Sequence, residues 1–335
     1  MHPHRFRALM LSVVLAIGLY GVVVVWADPD ALAQAFMRLS LENWAVLLGL
    51  SLVNYLLRFF RWVAYLVRMG HRPPLGLHFL VYMGGFAFTA TPGKAGEAVR
   101  AVYLKHLHVP YSASLAALFA ERLQDMLVVL MLGALVLLSL PDYEFVFYAG
   151  GALTVVAVVA LQSQALQRLF QRWWDAFSPQ KLRPLGHHLF EMLDKSRQLM
   201  RGSVVVWGVA LGLLAWGAEG WGFVLTVDWL GIPTESSIGL FVGIYALSML
   251  AGALSFLPGG LGSAEAAMGG MLVLLGVPLP VAVVATLICR LATLWFAIGL
   301  GLLAMLVLQG VSDWNVLAAS DGEAMPAKAA AGESK

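Results

Sequence analysis

Cysteine occurs once in 335 residues, at Cys289, and charged residues make up only 12% of the chain. A single thiol excludes a disulfide within one chain and any metal site built on several thiolates. Its apolar neighbours read as the surroundings of a packed core thiol. So small a charged share excludes an ordinary soluble globule, in which about a quarter of residues are charged. The net charge of +2 is too low for a nucleic-acid partner, and no basic-aromatic stripe accompanies it. A Walker loop, a Gly-x-Ser-x-Gly elbow and an HExxH pair are also absent, so no cofactor, metal or catalytic residue is expected.

What the chain has in quantity is apolar sequence, 60% of all residues. Several stretches reach the roughly 20 residues needed to span a bilayer. They fall at 8–26, 44–67, 111–140, 145–161, 203–227 and 280–308, and two further segments, 75–107 and 236–276, are each interrupted by Pro-Gly. The first run follows a basic start and is longer than a signal-peptide core, so it reads as a retained anchor. Stretch 162–202 carries Arg168, Arg172, Lys181, Arg183, Lys195, Arg197 and Arg201 against three acids, which makes it a cytoplasmic basic loop. "ADPD", "PDYE" and "VDWL" on the other side carry acids without Lys or Arg.

The interrupted segments fit this map as re-entrant hairpins. Residues 94–107 hold Lys94, Glu97, Arg100 and Lys105, too polar to cross lipid unaided. Residues 263–276 would form a helix of only about 21 Å, short of a roughly 30 Å core. The expected fold is thus an all-α polytopic membrane protein with about six transmembrane helices and two Pro-Gly-broken hairpins. Both termini fall in the cytoplasm of a bacterial inner membrane, and the polar, Ala-rich tail 311–335 is expected to be disordered.

An internal repeat runs through the same segments. "VPYSASLAALFAERLQD" from Val109 aligns with "VPLPVAVVATLICRLAT" from Val277, matching Val-Pro at the head and Arg122-Leu123 with Arg290-Leu291 near the tail. Upstream, Pro92, Gly93, Gly96 and Glu97 match Pro258, Gly259, Gly260, Gly262 and Glu265, with a two-residue insertion. An odd number of membrane reversals separates the copies, so the units, about 75–140 and 236–308, are inverted. Inverted repeats with broken helices near the midplane are a transporter signature. A Pro-Gly break would open a half-helix whose free N–H groups and positive dipole end suit a phosphate.

Charges recur inside the apolar spans. Arg122 and Arg290 each lie about 16 Å into a helix by the 1.5 Å rise, where an arginine normally pairs or lines water. Glu121 and Asp125 share a helix face beside Arg122 and are its expected partners; Glu97 and Arg100 stand one turn apart. Asn54, Arg58 and Arg61 recur on one face of the second span. Arg61, next to Trp62 near the cytoplasmic end, is expected to snorkel, whereas Arg58 beside Asn54 is expected to serve the function. Glu219 fits either an interfacial or an interior position. A network that only fixes helix packing is disfavoured, because buried pairs stabilise poorly relative to apolar residues.

The pattern "PGKAGEAVR…ERLQD…LPGGLG…E…R" resembles the transmembrane, flippase-like domain of lysylphosphatidylglycerol synthases, over about 44–308. The resemblance implies movement of lipid between leaflets, aminoacylated phosphatidylglycerol in the best-known members. It carries over Pro92, Gly93, Gly96, Glu97 and Arg100; Glu121, Arg122 and Asp125; and Pro258, Gly259, Gly260, Gly262, Glu265 and Arg290. Ala264 stands where relatives often have arginine, and no aminoacyl-transferase domain follows, so lipid synthesis would need a separate lipid-modifying enzyme. The expected function is translocation of a phosphate-containing lipid, with a membrane phospholipid or other lipid phosphate as partner. The alternative is a membrane-embedded enzyme or accessory subunit with Glu97 or Glu121 as general base.

Overall fold

The computed structural model describes residues 33–34, 37–91, 96–138, 152, 163–177, 183–232 and 238–310. The expected anchor at 8–26, the span at 145–161, Pro92, Gly93 and the tail 311–335 lie outside them. Among the described residues all regular structure is helical.

Helix α1 runs over Leu41–Arg68. The Ser40 side chain accepts from the Asn43 N–H while the Asn43 side chain accepts from the Ser40 N–H, a reciprocal cap. At the other end Gly70 turns left-handed, with φ 86°, and Pro73-Pro74 follow, so the helix cannot continue. Next come α2 (Leu75–Phe86), α3 (Val99–His106) and α4 (Tyr111–Gly133), the last tightening into a 3-10 turn over Ala134–Leu138. Then follow α5 (Gln164–Phe177), α6 (Arg183–Leu199), α7 (Gly202–Trp229), α8 (Ile238–Leu254), α9 (Ser263–Leu274) and α10 (Leu279–Gly310). Pro74, Pro110 and Pro278 stand just before α2, α4 and α10. There the missing N–H costs nothing, because the first turn of a helix has no acceptor for it.

Helices α1, α7 and α10 are long and apolar enough to cross a bilayer. Helices α2 and α9, of 12 residues each, are about 18 Å long and fall short of a span. Where the sequence reads as a basic loop, 162–202, the chain instead forms the helices α5 and α6.

Helix α7 packs along α1, the second half of α10 along α2, and α8 against both α4 and α9, while α6 lies on α4. At Gly301 an added Cβ would lie 2.3 Å from the Ala87 nitrogen, so α10 and α2 meet almost backbone to backbone, the small-residue packing that membrane helices use. The core divides into two main clusters. One gathers Phe223, Tyr245, Met268 and Ile288, from α7, α8, α9 and α10. The other gathers Tyr65, Tyr82, Ala117 and Leu308, from α1, α2, α4 and the end of α10.

Candidate functional site

Between the two clusters lies a knot of charge. Arg58 and Arg61 project from one face of α1, and Glu121 and Asp125, four residues apart, from one face of α4. Arg58 Nη2 is 3.2 Å from Glu121 Oε1 and 3.5 Å from Asp125 Oδ2. Arg61 donates to Asp125 Oδ1 and to the Gly208 carbonyl. Glu97, in the short turn before α3, takes Arg100 at 3.2 Å and Arg122 at 2.8 Å. Arg100 also reaches Glu121 at 3.5 Å, and Tyr82 donates its hydroxyl to Glu121 Oε1. Around these pairs stand aromatic rings. The Arg58 guanidinium lies 5.8 Å from the Phe86 ring and 5.6 Å from that of Trp216, so it touches both core clusters. The Arg100 guanidinium sits 4.0 Å from the Tyr82 ring centroid, a cation–π contact. Gly85 leaves the room for it, because a Cβ there would lie 2.2 Å from Arg100 Nε.

The second half holds a pair at the same spacing. Arg290 Nε donates to Glu265 Oε1 at 2.7 Å, across 25 residues of sequence, the separation that also divides Glu97 from Arg122. Arg290 Nη2 donates to the Gly259 carbonyl at 2.7 Å, and Nη1 faces the Met249 sulfur at 3.8 Å. The backbone there is unusual. Gly259, Gly260 and Gly262 all have positive φ, and a Cβ on Gly260 would lie 2.8 Å from the Gly252 Cα. Only glycine meets both demands, a left-handed conformation and contact with α8. Immediately after Arg290, residues Leu291–Trp295 form a π turn, and Tyr55 of α1 donates its hydroxyl to the Thr293 carbonyl at 2.6 Å. Such bulges re-aim side chains and recur at functional sites.

The two halves meet around open space. A cavity of about 370 Å³ is lined by Arg122, Asp125 and Val129 from α4, by Trp216, by the Met249–Leu254 end of α8 with Phe256 and Leu257 beyond it, and by Gly259, Gly260, Ala264 and Arg290. Its charged lining is two guanidinium groups against one carboxylate. The rest is largely apolar, and Leu254, Phe256 and Leu257 at its edge are 57%, 72% and 46% exposed. Phe256 holds a φ of 54° without being glycine, a strained conformation of the kind that collects at functional sites. A smaller cavity of about 50 Å³ adjoins it, sharing Trp216, Met249, Gly259 and Arg290 and adding Arg58, Glu97 and Glu219.

The family described as Lysylphosphatidylglycerol synthase TM region matches residues 10–301. The chain belongs to that family. It is also 27% identical over 315 residues to a UPF0104 membrane protein of the archaeon Methanothermobacter thermautotrophicus, covering 89% of this chain and 91% of that one. Together with the three spanning-length helices, these matches make it a multi-pass membrane protein.

For this member of the lysylphosphatidylglycerol synthase TM-region family, most sequence-predicted site residues come together. Arg58, Glu97, Arg100, Glu121, Arg122 and Asp125 form the knot; Arg290, Gly259 and Gly260 line the cavities beside it, and Glu265 holds Arg290. Pro258 and Gly262 shape the turn behind them. Asn54 is fully buried one turn from Arg58 but lines neither cavity, and its side-chain amide makes no hydrogen bond. Two N–H groups beside the Pro-Gly breaks are engaged within their own turns. The Gly96 N–H donates to Thr91 Oγ1, and the Gly260 N–H to the Leu257 carbonyl. The second turn also presents the Gly259 carbonyl to Arg290.

The pairing also differs from expectation. Arg122 lies 3.7 and 3.8 Å from Glu121 and Asp125 but 2.8 Å from Glu97, its nearer partner. Arg61 does not snorkel. Its side chain is completely buried and held by Asp125, with Glu121 at 3.7 Å, because α4 brings both acids alongside α1. Glu219 is interior, accepting from the Tyr245 hydroxyl. Tyr82, Trp216 and Met249 were invisible as site residues in the sequence, since an apolar or aromatic side chain in a span carries no mark of the cavity it will face.

Proposed function

We propose that the protein moves a phosphate-bearing lipid between the two leaflets of the membrane, without covalent chemistry. The observation that carries this reading is the cavity shared by Arg122 and Arg290, one guanidinium from each half, with an apolar rim exposed at its edge. A volume of about 370 Å³ accommodates a glycerophosphate headgroup but not two acyl chains, so the chains stay in the bilayer beside Leu254 and Phe256 while the headgroup enters. The lining carries one positive charge in excess, as a phosphodiester anion requires.

Both arginines meet the phosphate through groups that a carboxylate now balances. The Arg122 side chain is 29% exposed and lines the cavity, so it is open to an oxyanion there while Glu97 holds its Nη2. Arg290, held by Glu265 and the Gly259 carbonyl, is oriented by its neighbours before any lipid arrives. In this reading the two Pro-Gly segments are re-entrant hairpins of an inverted repeat, one opening to each side. The termini and α5–α6 lie in the cytoplasm, and an aminoacylated headgroup would place its amine toward Glu97 or Glu265. The membrane is a bacterial inner membrane in this reading, although the family extends to archaea. An enzyme using Glu97 or Glu121 as general base fits less well. Each carboxylate is buried and already engaged by two or more guanidinium groups, which leaves little reach for a substrate proton.

The test is leaflet exchange of fluorescent phosphatidylglycerol in liposomes holding the full chain. Wild type should exceed empty liposomes, Arg122→Ala and Arg290→Ala should each fall to that background, and lipid mass should stay unchanged. Exchange that survives in both variants at the wild-type rate would overturn the assignment.

A further inference from the structure

Helix α5 is built inside out for a helix of a water-soluble hairpin. Its polar residues Gln164, Gln167 and Gln171 line a groove against Glu191, Asp194 and Arg197 of α6, and Arg197 Nη1 donates to Gln167 Oε1 at 3.5 Å. On the opposite side Leu169, Phe170 and Trp173 are 64%, 61% and 54% exposed, with the Phe170 and Trp173 rings 5.6 Å apart. At 100° per residue these three fall within about 100° of helix surface, and the three glutamines fall opposite. Arg172, exposed, flanks the apolar face, whereas Arg168 lines the polar groove and donates to Gln164 Oε1 at 3.2 Å.

The hairpin is fastened to the membrane-spanning body at one end of it. Lys195 donates to Ser112 Oγ at 2.7 Å at the start of α4, shortly before α6 gives way to α7. That is the end at which α1 stops and α4 and α7 begin, the level where a spanning helix leaves the hydrocarbon for the headgroups. An apolar face turned outward there, carrying an aromatic pair and flanked by a cation, matches the composition of a helix lying in a bilayer interface. Arginines at that depth pair favourably with anionic headgroups.

We propose that α5 is an interfacial helix of this protein, with Leu169, Phe170 and Trp173 inserted at the boundary of headgroups and acyl chains and Arg172 bound to anionic lipid. The inference rests on the helix faces and not on translocation, so it stands or falls separately from the function proposed above.

Nitroxide labels at Leu169→Cys and, separately, Gln171→Cys in the full chain read it directly, since the native thiol of Cys289 is buried. The protein is placed in nanodiscs of phosphatidylcholine, with or without phosphatidylglycerol. At 169 collisions with oxygen should exceed those with a water-soluble nickel chelate, at a depth of about 5–10 Å below the headgroups. At 171 both should be low. Phosphatidylglycerol should raise the oxygen preference at 169, and Arg172→Ala should remove that increment. A nickel preference at 169 would mean a water-facing helix, and low values for both reagents would mean a protein partner or a second copy. Either overturns the proposal. Trp173→Cys gives the same reading should the Leu169 variant fail to accumulate.

Discussion

The two halves of the molecule hold the same ion pair in different company. In the first half Glu97 and Arg122 belong to a knot in which Arg58, Arg61 and Arg100 also share Glu121 and Asp125, ringed by Tyr82, Phe86 and Trp216. In the second half Glu265 and Arg290 meet at the same sequence separation, but there a backbone carbonyl at a glycine turn does much of the holding. One half satisfies its arginine with the carboxylates of Glu97, Glu121 and Asp125. The other satisfies it with main chain that only glycine can bend into place. Buried charge held by many partners resists rearrangement, because moving any member exposes several others without compensation. A single pair beside a turn of left-handed glycines carries no such penalty. The contrast therefore marks the first half as the fixed wall of the cavity and the second as the wall better able to shift.

The largest expected effect breaks the knot. Arg61→Met leaves Asp125 short of its closest partner in a fully buried site and should cost about 3 kcal/mol or more. Arg290→Met should cost less, because the Glu265 side chain retains 17% exposure. Thermal unfolding of the two variants in detergent measures the difference, and equal losses would erase the distinction between the halves. Next comes the turn itself. Gly260→Ala forces a side chain into a φ of 67° against the Gly252 backbone, at a cost of about 1–3 kcal/mol, and should slow leaflet exchange along with stability.

A pair of glycines sharpens the comparison further. Gly85→Ala drives a methyl into Arg100 and should destabilise by about 1–2 kcal/mol. Gly270→Ala in α9, where nothing lies within 4 Å of the added carbon, should instead stabilise by about 0.5–1 kcal/mol through helix propensity. The smallest effect lies outside the spans. Burial and the nearby Lys195 charge lower the pKa of His71 from its ordinary value. The folded protein then binds that proton less readily than the unfolded chain, so this contribution to stability is present above about pH 6.5 and is lost as pH falls below it. Unfolding temperatures followed from neutral to mildly acidic pH should fall slightly less for His71→Gln than for the wild type.

Much of the site was legible before any fold was known. An arginine 11 residues into an apolar helix is expensive wherever the helix packs, so Arg122 and Arg290 announced themselves, as did the Pro-Gly turns. Arg61 did not, because a residue near a helix end can snorkel or be buried, and only the approach of α4 decides between them. The preference of Arg122 for Glu97 over its own helix neighbours was equally hidden. An i, i+3 spacing shows that two groups can meet, but not that a third from another turn lies nearer.

By itself the sequence determined that the chain enters a membrane, where its long helices start and stop, and which charges must be buried with partners. These follow from local chemistry, namely hydrophobic length, proline before a helix, glycine in a turn and the desolvation of ions. The tertiary structure alone decided who pairs with whom, where α10 slips into a π turn, and that the two central arginines open onto one cavity. Those outcomes depend on the distance between helices far apart in sequence, and no local pattern encodes a distance that packing has yet to set.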